Sequence, residues 1–244
     1  MQKKWIAILT ITLVLVIDQA SKIWVKTHIL YGDGFDMFGL PWAKIHFIEN
    51  EGMAFGLSYG GLTGKYILSI FRILMAGFLI YLLKNILEKK EPTGFIVAFS
   101  LVIAGAVGNI IDSMFYGLIF SESYFHGGLA TLFPQEGGYG SFLTGKVVDM
   151  FYFPMFEITW PEWIPLIGGD RFEFFRHVFN VADSSIFCGV VSIILFYRSF
   201  FKAEENNSKT LSSDEMRENE EIHENTEPFS SETSGQETKD ENPS

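Results

Sequence analysis

A single cysteine, Cys188, stands in a chain of 244 residues. An intramolecular disulfide framework and a cysteine-cluster metal site are therefore both excluded. Basic residues are scarce as well, with 18 Lys+Arg against 29 Asp+Glu. No Lys/Arg-rich face exists to neutralise phosphates, which excludes a nucleic-acid binder. Common hydrolase signatures are also missing. There is no H-E-x-x-H, and His46, His126 and His177 lack metal-ligand spacing, so a zinc site is not expected. There is no G-x-S-x-G, and Ser184 and Ser185 have no nearby base. Cys188 lies in an apolar stretch and reads as packing rather than nucleophile. No internal repeat is evident.

What the chain does have is apolar residues, 48% of the total, beside a formal net charge of −11. The two are compatible because the charge is segregated. Residues 203–244 hold 13 Asp+Glu and 3 Lys+Arg, a net of −10, which leaves −1 for residues 1–202. The tail has too few apolar residues to bury a core and is expected to be disordered and cytoplasmic. The body carries four segments near the roughly 20 residues that a bilayer crossing needs. They are residues 5–24, bounded by Trp5 and Trp24, then 66–83, interrupted by Arg72, then 95–116 and 180–200. The first begins like a secretory leader, but Asp18 and Lys22 lie at its far end and three more spans follow, so it reads as retained.

Positive charge near the span ends sets the orientation. Lys3 and Lys4 precede the first span, Lys84, Lys89 and Lys90 crowd the short link after the second, and Arg198 and Lys202 close the fourth. All fall on one side if both termini are cytoplasmic, which leaves residues 25–65 and 117–179 outside. Within these, residues 44–48 and 146–153 are β-branched and aromatic and predict strands of a small sheet on the outer membrane surface. Residues 118–145 and 154–175, rich in Phe, Gly and Pro, are expected to form loops or a short helix dipping into the interface.

The polar residues inside the spans converge at one depth. Asp18, Asn109, Asp112, Asn180 and Asp183 each fall within roughly 10 Å of the same interface by helical rise. Carboxylates in a membrane are costly and usually mark function. Asn109/Asp112 and Asn180/Asp183 are spaced i,i+3, so each pair shares a helix face, and Asp18 with Lys22 has the i,i+4 order of an orienting ion pair. Asp112 reads as a packing hydrogen-bonder with Asn109, and Arg72 as a side chain that snorkels or neutralises a carboxylate. Asp149 sits among large apolar residues in a strand just before the membrane, where desolvation raises a carboxyl pKa. If it meets Asp183, the two share a proton near neutral pH. One can then activate water while the other polarises a carbonyl or protonates a leaving nitrogen, which is the requirement of aspartic peptide hydrolysis. The residues alone leave open whether the two are catalytic.

Five blocks bear on that choice: Val16-Ile17-Asp18-Gln19-Ala20-Ser21-Lys22, Asn50-Glu51-Gly52-Met53-Ala54-Phe55-Gly56, Gly105 through Asp112, Val147-Val148-Asp149, and Phe179 through Ile186. In this order, on these spans, the chain resembles lipoprotein signal peptidase (signal peptidase II) over about residues 5–200. The resemblance implies a polytopic α-helical membrane protein, with four transmembrane helices, a small extracytoplasmic β-sheet cradle and an interfacial lid. It implies an aspartic endopeptidase of the bacterial inner membrane that uses no metal or other cofactor. Such an enzyme cleaves prolipoproteins on the N-terminal side of a diacylglyceryl-modified cysteine, meets substrate and membrane lipid together, and is blocked by globomycin. Carried over by motif, the catalytic pair is Asp149 and Asp183. Asn109 and Asn180 bind substrate backbone or hold the pair, Asp18, Lys22 and Asp112 support it, and Asn50 and Gly52 belong to the cradle loop. A monomer is expected.

Two departures stand out. The third block of that family usually ends Asp-Arg, and here Ser113 follows Asp112, leaving Arg72 or Arg176 as substitutes. The stretch between Asp112 and Asp149 is also longer than usual, through Phe120–Gly140. Two rival readings remain. One is a proton- or ion-coupled membrane protein using Asp18, Asp112 and Asp183 as a relay, whose carboxylates would be spread through the bilayer. The other is an assembly subunit binding through its sheet, which gives Asp149 and Asp183 no reason to pair.

Overall fold

The structure, a computed structural model, describes residues 2–51, 61–89, 91–125 and 127–197. Gly52 and the rest of its block through Gly56, His126 and the acidic tail lie outside the described residues. Long runs of Leu, Ile, Val and Ala without proline form helices, and the first three reach past the apolar segments expected. α1 spans Gln2–His28 and α2 Gly61–Glu88. After Pro92, α3 spans Thr93–Ile111 and continues through a wider π turn at Asp112–Tyr116 into a closing turn, α4 (Gly117–Ile119). These three rods, 27, 28 and 27 residues long, are long and apolar enough to cross a membrane. The fourth apolar helix, labelled α5 below, is Val181–Phe196; its 16 residues rise ~24 Å, short of a ~30 Å hydrocarbon core.

α3 is the hub. It packs on α1, α2 and α5 and buries Ile96, Ile103, Ala104 and Gly105. Close approach depends on small residues. A Cβ at Gly105 would collide with the Ala182 carbonyl of α5, and one at Gly108 would stand 2.7 Å from the Asp18 carboxylate of α1. Away from α3, the helices turn large apolar side chains outward, among them Leu9, Leu13, Ile67, Leu74, Phe187 and Leu195, each more than half exposed. Such a belt is a liability in water and suits a lipid-facing surface.

At one end of the helices lies an antiparallel sheet in the order β1-β2-β3-β6. β1 is Gly34–Asp36, β2 Lys44–Asn50 and β3 Val147–Tyr152. A separate hairpin, β4 (Phe156–Thr159) with β5 (Arg171–Phe174), precedes β6 (Val178–Phe179). Val148 and Met150 of β3 join Phe47 of β2 in a buried cluster with Val25 and Ile29 of α1 and with Tyr116 and Phe120. The sheet is thus seated directly on α1 and on the end of the α3 rod.

The two strands expected around residues 44–48 and 146–153 are present. Residues 154–175 correct the expectation of loops or a short helix, because they contain the hairpin. Phe156 and Ile158 alternate with polar positions, as do Phe172 and Phe174, and this period of two is that of a strand. The density of aromatics hid it in the sequence. Of residues 118–145, expected as loops or a short helix, the described ones after Ile119 form an irregular connection, with an isolated bridge between Phe120 and Leu132.

Candidate active site

The site forms where β3, β6 and the start of α5 meet α1 and α3. Strand alternation sends Val148 and Met150 into the apolar cluster and leaves Asp149 between them facing the other way. Asp149 is 2% exposed. Its two oxygens accept from two amides, Oδ1 from Asn180 Nδ2 at 2.7 Å and Oδ2 from Asn50 Nδ2. Burial, and then the nearby negative charge of Asp183, push the Asp149 carboxyl up to about 8 despite those two donors.

Asp183 is set by the way α5 begins. Asn180 caps the helix: its Oδ1 accepts from Asp183 N at 2.9 Å, and Asp183 Oδ2 accepts in return from Asn180 N at 3.4 Å. This reciprocal box satisfies two free helix donors and favours a carboxylate at the positive end of the helix. Asp183 Oδ1 also accepts from Asn109 Nδ2 of α3 at 2.8 Å. The fully buried Asn180 amide therefore touches both halves of the pair, holding Asp149 with its nitrogen and the Asp183 backbone with its oxygen. On its other side, Asp183 borders an apolar cavity of about 500 Å³ walled by Phe175, Phe179, Phe187 and Cys188.

Behind the pair lies a buried charge cluster. Lys22 Nζ meets Asp18 Oδ2 at 2.9 Å and Asp112 Oδ2 at 2.8 Å, and donates to Asn109 Oδ1 at 2.9 Å. All three charged residues are fully buried. Asp18 Oδ1 accepts from Ala182 N at 2.9 Å, a free donor in the first turn of α5. Lys22 thus compensates two carboxylates and, through Asn109, steadies Asp183.

Asp18, Lys22, Asn109, Asp112, Asn180, Asp183, Asn50 and Asp149 are all brought together; Gly52 lies outside the described residues. Asp112 and Asn109 do share a face, but they meet through Lys22 rather than through each other. Arg72 of α2 donates to Ser113 Oγ at 3.4 Å, so one of the two candidate arginines reaches the position after Asp112.

Sequence reasoning passed over Gln19. Its Nε2 donates to Asp18, to the Gly108 carbonyl and to Asp112 at 2.9–3.2 Å, and its Oε1 accepts from Tyr116 OH at 3.1 Å. An amide inside a membrane span was the available signal. It also passed over Lys26, buried on the same helix, which pairs with Glu49 and donates to Ser123 Oγ at 2.8 Å. Glu49 adjoins Asn50 in β2, so Lys26 braces the strand that delivers a donor to Asp149.

A family model described as signal peptidase (SPase) II matches residues 10–201. The chain is 49% identical over 202 residues to a lipoprotein signal peptidase of Porphyromonas gingivalis, covering 82% of this chain and 86% of the relative. It is 32% identical over 190 residues to a lipoprotein signal peptidase of Amoebophilus asiaticus, covering 77% and 75%. A solved bacterial membrane enzyme structure, 27% identical, covers 79% of this chain and 92% of its own, with a TM-score of 0.48.

Proposed function

The chain belongs to the signal peptidase II family, peptidases that remove signal peptides from prolipoproteins, and on that premise we propose that Asp149 and Asp183 hydrolyse the peptide bond as an aspartyl dyad. The observation that carries the proposal is the buried Asn180 amide, which binds Asp149 and the Asp183 backbone at once. Two carboxylates from a strand and a helix are thereby held as one unit, and the raised Asp149 carboxyl keeps a proton at neutral pH.

In this reading Asp183 takes a proton from water, which attacks the scissile carbonyl, while Asp149 gives its proton to the carbonyl oxygen. The tetrahedral adduct then collapses, the C–N bond breaks, and the leaving nitrogen takes up a proton from the dyad. The carboxylates move every proton, and the scheme needs no metal. Asn109 and Asn180 hold the dyad in register; Asp18, Lys22 and Asp112 support it from behind, and Asn50, at the end of β2, meets substrate, a role that Gly52 shares by its place in the motif. Arg72, at Ser113, stands in for the arginine that the family usually carries after the aspartate.

The substrate chemistry agrees with this position. A diacylglyceryl cysteine keeps its acyl chains in lipid, while its peptide bond must reach water at the interface. Cleavage falls on the N-terminal side of that cysteine, the termini are cytoplasmic, the site faces outward, the enzyme acts as a monomer, and globomycin-type inhibitors occupy the same site. The test is substitution. Asp149→Asn and Asp183→Asn each abolish cleavage of a lipidated prolipoprotein in detergent, with a loss of at least about 100-fold and an unchanged helical circular dichroism spectrum. Retained cleavage in either variant removes the dyad assignment.

A further inference from the structure

We infer that the β4–β5 hairpin is a membrane-inserting element whose apolar face is covered by the hydrocarbon of the leaflet on the active-site side. Its register makes one face apolar: Phe156 pairs with Phe174 and Ile158 with Phe172, whereas the intervening positions are Glu157, Thr159, Arg171 and Glu173. The four apolar side chains are between 41% and 48% exposed. They are ordered against one another, with the rings of Phe156 and Phe174 stacked at 4.7 Å and Trp160 packed on Phe172 at 6.2 Å. A lone two-stranded ribbon of this kind is marginal in water. Its tip is more apolar still. Trp163 is 80% exposed, and Leu166 is fully exposed with a φ of 75°, a conformation costly for a leucine.

Lipid is identified as the occupant by continuity. Only residues 175–180 separate β5 from α5, and Val178 and Phe179 among them are paired to β3, so the hairpin is tethered close to the start of α5. Phe175, the first of these residues, meets Phe179 edge-on at 5.9 Å, and both wall the apolar cavity beside Phe187 on the exposed face of α5. One residue beyond Phe174, the chain thus enters a surface that the membrane helix already presents to lipid. Tryptophan at the margin of such a surface suits the interfacial zone.

The test uses the full-length chain in phosphatidylethanolamine–phosphatidylglycerol vesicles, and reads fluorescence rather than cleavage. In a Cys188→Ser background, Leu166→Cys is labelled with bimane. In parallel, Trp163 is kept as the sole tryptophan by Trp→Phe changes at positions 5, 24, 42 and 160. The expected result is that lipids with nitroxide-bearing acyl chains remove most of the emission of each probe, aqueous iodide removes little, and neither effect changes when the protein is diluted in lipid. Two outcomes overturn the inference. Full quenching by iodide without quenching by nitroxide lipid places the hairpin in water, and protection from both quenchers places a second copy or another protein over it. The tryptophan arm keeps the inference open to refutation if the labelled variant fails to fold.

Discussion

Removing the Asn50 amide should move the alkaline limb of the pH–rate profile. In the proposed mechanism Asp149 must carry its proton to assist the scissile carbonyl, and burial with the charge of Asp183 pushes its carboxyl up to about 8. Roughly nine molecules in ten therefore hold the proton at pH 7, and kcat/KM falls about tenfold for each pH unit well above that value. Asn50 donates to Asp149 Oδ2 and so favours the ionised form. A hydrogen bond to a charged group is worth about 1.5–3 kcal/mol, or ~1–2 pKa units. Asn180 still holds the other oxygen, so Asn50→Leu should shift the limb by about one unit, near the low end of that range. The shift is to higher pH, because the lost donor stabilised the carboxylate. The assay is kcat/KM for cleavage of a lipidated prolipoprotein in detergent from pH 6 to 10, with the Tm measured alongside. An alkaline limb absent from the wild-type chain, or one that stays in place or moves to lower pH in a folded Asn50→Leu variant, would refute the reasoning.

Three further outcomes are expected. Lys22→Met strands the buried carboxylates of Asp18 and Asp112 and should cost about 3–5 kcal/mol, seen as a lower Tm in detergent that a second change, Asp18→Asn, partly restores; an unchanged Tm would mean that the cluster bears no weight. Gly105→Val drives a branched side chain into the Ala182 carbonyl and should cost about 1–3 kcal/mol or more, whereas Gly77→Val, with open space around its Cβ position, should leave packing intact. Similar Tm values for the two would count against tight packing of α3 on α5. EDTA should leave the cleavage rate unchanged, and strong inhibition would point to a metal.

Much of the site was legible because helices convert spacing into depth. Asp18, Asn109, Asp112, Asn180 and Asp183 could be set at one level by counting residues from the span ends, and all five do share one polar cluster with Lys22. Asp149 was legible as a carboxyl wedged into an apolar strand. Partner choice was not, since it depends on azimuth and crossing geometry: Asp112 turns to Lys22 and Gln19 where the α3 rod widens into its π turn. Gln19 is an amide inside a span like Asn109, but its partners Gly108 and Asp112 lie on another helix, and only the crossing of α1 with α3 reveals them. Lys26 and Glu49 lie 23 positions apart, and only the seating of the sheet on α1 brings them together. The hairpin was lost for a different reason, since a ribbon with both its apolar face and its tip turned outward resembles an unstructured aromatic loop in composition.

The cap of α5 bears on drug escape. An inhibitor that engages the Asn180 amide would contact an atom group with two other duties, ending a helix and holding Asp149. Replacement by a residue other than Asp, Ser or Thr forfeits the cap, worth about 1 kcal/mol, and even those three lose the amide nitrogen that donates to Asp149. A resistant strain would have to weaken the hold on the proposed dyad, and with most replacements the start of α5 as well, whereas the apolar wall at Phe175 or Phe187 could change at far smaller cost. Contacts aimed at Asn180 should therefore be slow to meet resistance, and contacts confined to the phenylalanine wall quick to meet it.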